Sequence, residues 1–415
     1  MKTTQRTTRT MLIGLPLLIL AACATRSSPS TDASTTPASS GAGHGAIAGA
    51  TEAAEPPLHL VALNARGQSS MLNLLDGTRT SLGTVPAAEA VTTDGRYVFA
   101  ADETGVSIID SGVWTWDHVD HFHYYQAQPR LLDRVAGNGV AAISTGMLST
   151  AGTTGIFFPT SGEAVLLENK DLSEGRVIEH LRVRVTPHAG LVAPLGEGAL
   201  VSQSDSGDQA TRLDAVDAQG ATLDSIDCQS PSGTVTTRVG LVVGCADGAV
   251  IATLEDATPV LRHVPYPEGA AAAATSFAAR KGRPTVAGMG DGSGVWLFDS
   301  REASWRWLAT TTPVITATAV DDADEHVLAV GQDGTVQVYD GTSGEQLAVT
   351  EPLLATTLAD PALAGTVALV VDGQRAYVND AADGVVYEID YADRGRVARA
   401  LKLPVQPVHL AETGR

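Results

Sequence analysis

One pattern recurs along this chain: an apolar run, a polar turn built around Asp or Gly, then a second run in which apolar and polar residues alternate. It is plain in YVFAADETGVSIID (97–110), LVVGCADGAVIATL (241–254), TVAGMGDGSGVWLFD (285–299), HVLAVGQDGTVQVYD (326–340) and AYVNDAADGVVYEID (376–390). Weaker copies occupy 58–76, 140–169 and 199–217. An alternation of period two around such a turn specifies an antiparallel hairpin. Successive copies start mostly about 40–50 residues apart, the period of four-stranded propeller blades. Eight hairpins predict an all-β chain, an eight-bladed β-propeller with seven blades as the fallback count. The first copy lacks a preceding inner strand, and PVQPVHLAE (404–412) is placed to supply it. One blade built from both chain ends would close the ring and remove exposed strand edges. No helical periodicity interrupts the pattern, so 57–415 reads as one domain. A composition of 44% hydrophobic and 18% charged residues, with 42 glycines, suits many short strands and tight turns.

The first 23 residues read as a targeting segment. Lys2, Arg6 and Arg9 precede the apolar run 11–20, which is too short to span a bilayer, and Leu20-Ala21-Ala22-Cys23 matches a bacterial lipobox. On that reading Cys23 is lipidated and holds the protein on the outer face of the cell membrane. Residues 24–56, rich in Ser, Thr, Ala, Gly and Pro, read as a flexible tether containing one histidine, His44. The net charge of −20 disfavours nucleic acid as a partner. Cys228 and Cys245 form an even pair outside the cytoplasm, which reads as a disulfide stapling neighbouring blades.

The segment WTWDHVDHFHYY (114–125) carries three of the ten histidines, His118, His121 and His123, and two acids, Asp117 and Asp120. It falls where the outer strand of the 97–110 blade and the crossing to the next are expected. On an extended segment His121 and His123 share a face, and a loop can bring His118 to the same ion. Neutral imidazole suits Zn²⁺, and three or four N/O ligands complete a tetrahedral site. Asp117 and Asp120 are a fourth ligand or carboxylates behind the imidazoles. A solvated polar loop and a catalytic His–Asp pair are the alternatives, the latter without an accompanying Ser or Cys nucleophile motif. His188, at the mouth of a later inner strand, is placed to complete the site. His59 and His409 read as structural, His180, His263 and His326 as polar and exposed, and Trp296, Trp305 and Trp307 as packing between blades.

The chain resembles the AztD-type zinc metallochaperones, extracytoplasmic β-propellers. The likeness rests on DHVDHFHYY (117–125), PHAGLVAPLGEGALVS (187–202), VGCADGAVI (243–251), PVQPVHLAETGR (404–415) and the region 43–63. The resemblance implies Zn²⁺ binding and its transfer, by ligand exchange, to the zinc-binding solute receptor of an ABC importer. It implies no enzymatic activity, and a monomer. It matches His118, His121, His123 and His188 to metal-motif positions. Two features depart from the family pattern. Ser232 and Thr234 stand where a His and a Glu are expected after the first paired Cys, which weakens the site if those positions contribute to it. The tether lacks a His-rich stretch. These departures motivate the alternative of a metal-independent scaffold or recognition propeller. An enzyme of the propeller lactonase or metal-dependent hydrolase kind is a third reading, without an identifiable set of central ligands.

Overall fold

The computed structural model describes residues 45–117, 121–207, 209–270 and 273–415. The signal segment, Cys23 and His44 lie outside the described residues, as do His118 and Asp120. Every hairpin expected from the repeat is present. Residues His59–Leu63 pair antiparallel with Gln68–Asn73, Tyr97–Asp102 with Gly105–Asp110, and Leu241–Cys245 with Gly248–Glu255. The remaining five behave alike. An inner and an outer strand flank each hairpin. Among the described residues this gives seven four-stranded antiparallel sheets. In an eighth, the edge beside Gly105–Asp110 is split between Arg130–Leu131 and Val135–Ala136. Helix is confined to short turns such as Asn169–Ser173 and Ala355–Ala359.

Burial explains the residue pattern. His59–Leu63, Tyr97–Asp102 and His326–Gly331 are buried at every position, because neighbouring sheets cover both of their faces. The outermost strands, such as Ser304–Ala309, cover only one face and alternate. Consecutive sheets share their cores. Val61 and Leu63 pack with Val98 and Ala100, Phe99 with Ile156 and Phe158, and Val338 with Val378 and Ile389. Leu60 and Leu410 pack in turn with Tyr377 and Val386 of the last hairpin. The tail strand His409–Thr413 pairs antiparallel with His59–Leu63, as the sequence predicts.

Cys228 follows the strand Thr222–Asp227 of one sheet, and Cys245 ends a strand of the next. The disulfide between them joins the two sheets. Trp296 is buried against Trp305 and Trp307, with Tyr266, which follows the last strand of the preceding sheet, tilted against the cluster. His326 differs from expectation: it is buried, not exposed. It opens an inner-hairpin strand, and its Nδ1 lies 2.7 Å from Asp322 Oδ2.

Candidate functional site: an exposed histidine hairpin

The histidine segment is not the outer strand of the 97–110 sheet. That edge is taken by Arg130–Leu131 and Val135–Ala136. Instead Val113–Asp117 and Phe122–Gln126 form a hairpin of their own, and Thr51–Ala53 adds a third strand beside Phe122–Gln126. Trp114 and Tyr125 pair and stack at 5.3 Å at the base of the hairpin, and Trp116 and His123 form the next pair along the same face. The guanidinium of Arg96 lies over Trp114 at 4.0 Å and is itself held by Asp110. Trp114 Nε1 donates to the carbonyl of Gly45 at 3.1 Å. Gly45 has φ +77°, and a Cβ there would meet the Trp116 ring at 2.4 Å, so both backbone and space demand glycine. Thr115 donates to the carbonyl of Gly414 at 2.7 Å, and Arg238 donates to Asp117 at 2.5 Å. The hairpin is therefore held by the rest of the chain, while His121 and Phe122 are exposed.

His121 and His123 meet there as their spacing predicts. Their Nε2 atoms are 3.0 Å apart. On the far side of the His123 ring, Nδ1 lies 2.6 Å from Glu52 Oε1. An ionised carboxylate only accepts, so Nδ1 carries the proton and Nε2 keeps its lone pair toward His121. Such a carboxylate–histidine unit fixes tautomer and ring orientation and raises ligand basicity at a metal. Two ring nitrogens converging in an accessible hairpin suit a borderline cation such as Zn²⁺.

Glu52 is the functional residue that sequence reasoning misses. It lies 71 positions from His123 within the stretch expected to be a tether, and only the pairing of Thr51–Ala53 brings it in. Asp117 serves the hairpin through its bond to Arg238.

His188 is buried against Phe157. Its Nδ1 donates to the Thr186 carbonyl at 2.6 Å, so Nε2 accepts from the Ser202 hydroxyl at 2.8 Å. Gly190 is required beside it, because a Cβ there would lie 2.3 Å from His188 Nε2. None of these partners belongs to the hairpin. At the two positions that depart from the family pattern, Ser232 donates to the Ala274 carbonyl and Thr234 to Ser144 Oγ.

Two other groups of ligand-type atoms come together among the described residues. In one, Cys245 is spent in the disulfide, leaving His263 on Asp247 at 3.0 Å. The other is Asp322, Asp324 and His326.

Fold and site together define a class: an all-β, propeller-type chain bearing an accessible histidine pair backed by a carboxylate. No family model matches the chain. The zinc chaperone AztD of Citrobacter koseri is 28% identical over 214 residues, 48% of this chain and 50% of that protein. The match thus spans half of its relative. The structure of apo AztD from the same organism superposes with a TM-score of 0.73 at 21% identity, covering 86% of this chain and 97% of that one. A second AztD crystal structure gives 0.74 at 20% identity with the same coverage. Over about half of its length the chain is similar in sequence to AztD, and it shares the AztD fold.

Proposed function

We propose that this protein is an extracytoplasmic zinc-binding chaperone that passes Zn²⁺ to the solute-binding receptor of a zinc ABC importer. The observation that carries the reading is the convergence of His121 Nε2 and His123 Nε2 at 3.0 Å with Glu52 behind His123. His118 is the third ligand in this reading, and Asp120 a carboxylate behind the imidazoles; His188 joins only by giving up Ser202. Zinc is cargo here. A site of exposed imidazoles lets incoming histidines of a receptor replace the donor's ligands one at a time, with no covalent step. The relative's description as a zinc chaperone supports the same reading.

In this proposal the sheets form an eight-bladed ring, supported by the shared cores and by the sheet that unites both chain ends. Cys23 carries the lipid that holds the ring at the outer face of the membrane, through the segment that precedes the hairpin sheet. The disulfide fits an oxidising compartment. Among the described residues no helix is long and apolar enough to cross a membrane.

The test is transfer. The zinc-loaded chain is mixed with the metal-free receptor in the presence of a chelator that captures free zinc. Receptor loading faster than chelator capture supports the proposal; loading abolished by the chelator refutes direct transfer. The scaffold reading, which Ser232 and Thr234 motivate, requires receptor binding of equal strength with and without zinc.

A further inference from the structure

The other face of the histidine hairpin borders an open cleft of about 750 Å³. Alternation sends Thr115, Asp117, Phe122 and Tyr124 into it, opposite His121 and His123. Its lining runs against the rest of the molecule in charge. The chain carries −20, yet seven of its 27 Lys and Arg line this cleft against four carboxylates, Glu55, Asp117, Asp372 and Glu388. Three of the cations are paired within the wall: Arg238 with Asp117, and Arg375 and Arg399 with Glu388. Arg283 is held by Asp321.

The remaining three are under-compensated. The Arg280 side chain makes no hydrogen bond or ion pair among the described residues, and burial and Arg283 push its pKa down. Lys281 donates to backbone oxygens of Asp94 at 2.5 Å and Arg415 at 3.4 Å, and the Asp94 carboxyl near it is itself pushed up by burial. Burial lowers its pKa to about 8. Arg415 faces Glu412, whose carboxyl is pushed up to about 8 by burial and so carries little charge at neutral pH. Beside these cations stand large apolar side chains left in solvent: Leu75 is 67% exposed, Phe122 51% and Leu148 38%. Apolar side chains gathered beside unmatched cations mark a binding surface rather than a solvated face.

We propose that this cleft binds an acidic peptide segment of a partner protein. Its carboxylates would lie on Arg280, Lys281 and Arg415, and its apolar side chains against Leu75, Phe122 and Leu148. A peptide fits better than a single small anion because the cations do not converge on one point. They come from the connections and edges of four different sheets, at Arg238, Arg280–Arg283, Arg375 with Arg399, and Arg415. Six of the seven are arginines, whose planar fork matches carboxylates. The inference stands apart from the metal reading, since the cleft contains neither His121 nor His123. It adds that a bound segment touches the back of the hairpin that presents them.

The test uses the full chain, free of metal, and a fluorescein-labelled peptide Asp-Leu-Glu-Phe-Asp-Leu followed by anisotropy. Saturable binding is expected, weakened about tenfold or more in Arg280→Gln/Lys281→Gln and in Leu75→Glu, an exposed position that leaves the fold intact. The amide analogue Asn-Leu-Gln-Phe-Asn-Leu is expected to bind at least about tenfold more weakly. No binding, or equal binding by the variants or by the analogue, overturns the proposal. Displacement by dodecanoate at lower concentration than by unlabelled peptide overturns it in favour of a small anionic amphiphile. Zinc retention is measured on the same variants and stays at the parent level, so failure of the cleft and failure of the metal site are read separately.

Discussion

Histidines occur in two settings in this fold, and the comparison between the hairpin and the closing sheet separates them. In the closing sheet His59 Nδ1 donates to the Pro57 carbonyl at 2.6 Å, and His409 Nε2 donates to the Ala88 carbonyl at 3.0 Å. His59 is buried and His409 half-buried, and burial pushes both pKa values down. In the hairpin, His121 and His123 turn nitrogens toward each other at the surface. A backbone carbonyl fixes a ring nitrogen permanently. A second imidazole yields it to a cation. Location in the fold, more than residue type, decides which histidine is available to a metal.

The comparison can be broken at several points. The largest effect is expected in the closing sheet. Leu410→Ala, at a buried position packed between the two chain ends, is expected to cost about 2–5 kcal/mol in denaturant unfolding. Zinc bound per folded chain should not change. Next is the carboxyl of Glu412, buried in the same strand. Its folded pKa, about 8, lies above its unfolded value, so the folded state holds a proton that the unfolded state has released. Stability from this group is fully present below the unfolded pKa and is lost as pH rises through the folded one. Relative to Glu412→Gln, the parent should lose roughly 1 kcal/mol per pH unit between about pH 5 and pH 8. A flat difference across that window would refute the assignment.

At the hairpin the effects move from stability to metal. Glu52→Gln keeps the size of the side chain but removes the charge behind His123. It is expected to weaken zinc binding about 10–100-fold in competition with a chromophoric chelator. Unfolding should shift by no more than about 0.5 kcal/mol, since Glu52 is exposed. Removing residues up to Ala53 should reproduce the loss, because the strand carrying Glu52 goes with them. The smallest effect on metal is expected at His188. His188→Ala should cost about 1–3 kcal/mol of stability through the lost hydrogen bonds to Thr186 and Ser202, and leave zinc retention unchanged. Zinc lost in that variant would make His188 a ligand.

The hairpins were legible because each carries its own turn chemistry. The Asp-Gly turn of 333–334 is one example, with Gly334 at φ +83°. Pairing of the tail with the first strand was legible too, since the first copy lacks a partner and PVQPVHLAE is an orphan strand. The His121–His123 pair followed from period two. The separate hairpin sheet was not legible. Its third strand, Thr51–Ala53, is three residues of unremarkable composition whose pairing is decided by a contact 71 positions away. His326 reads as exposed because its polar neighbours, Asp322 and Asp324, look like a surface loop. It opens the near-continuous apolar run HVLAVG, buried at every position between adjacent sheets. The cationic cleft was invisible in the sequence, because its residues come from connections that only the stacking of the sheets assembles.

The central claim is that the hairpin binds zinc, and elemental analysis tests it most directly. The full chain and His121→Ala/His123→Ala are loaded with Zn²⁺ and desalted, and bound metal is measured per folded chain. The account predicts about one zinc in the parent and none retained in the double variant. A folded parent that retains no zinc, or a double variant that retains as much as the parent, would contradict it.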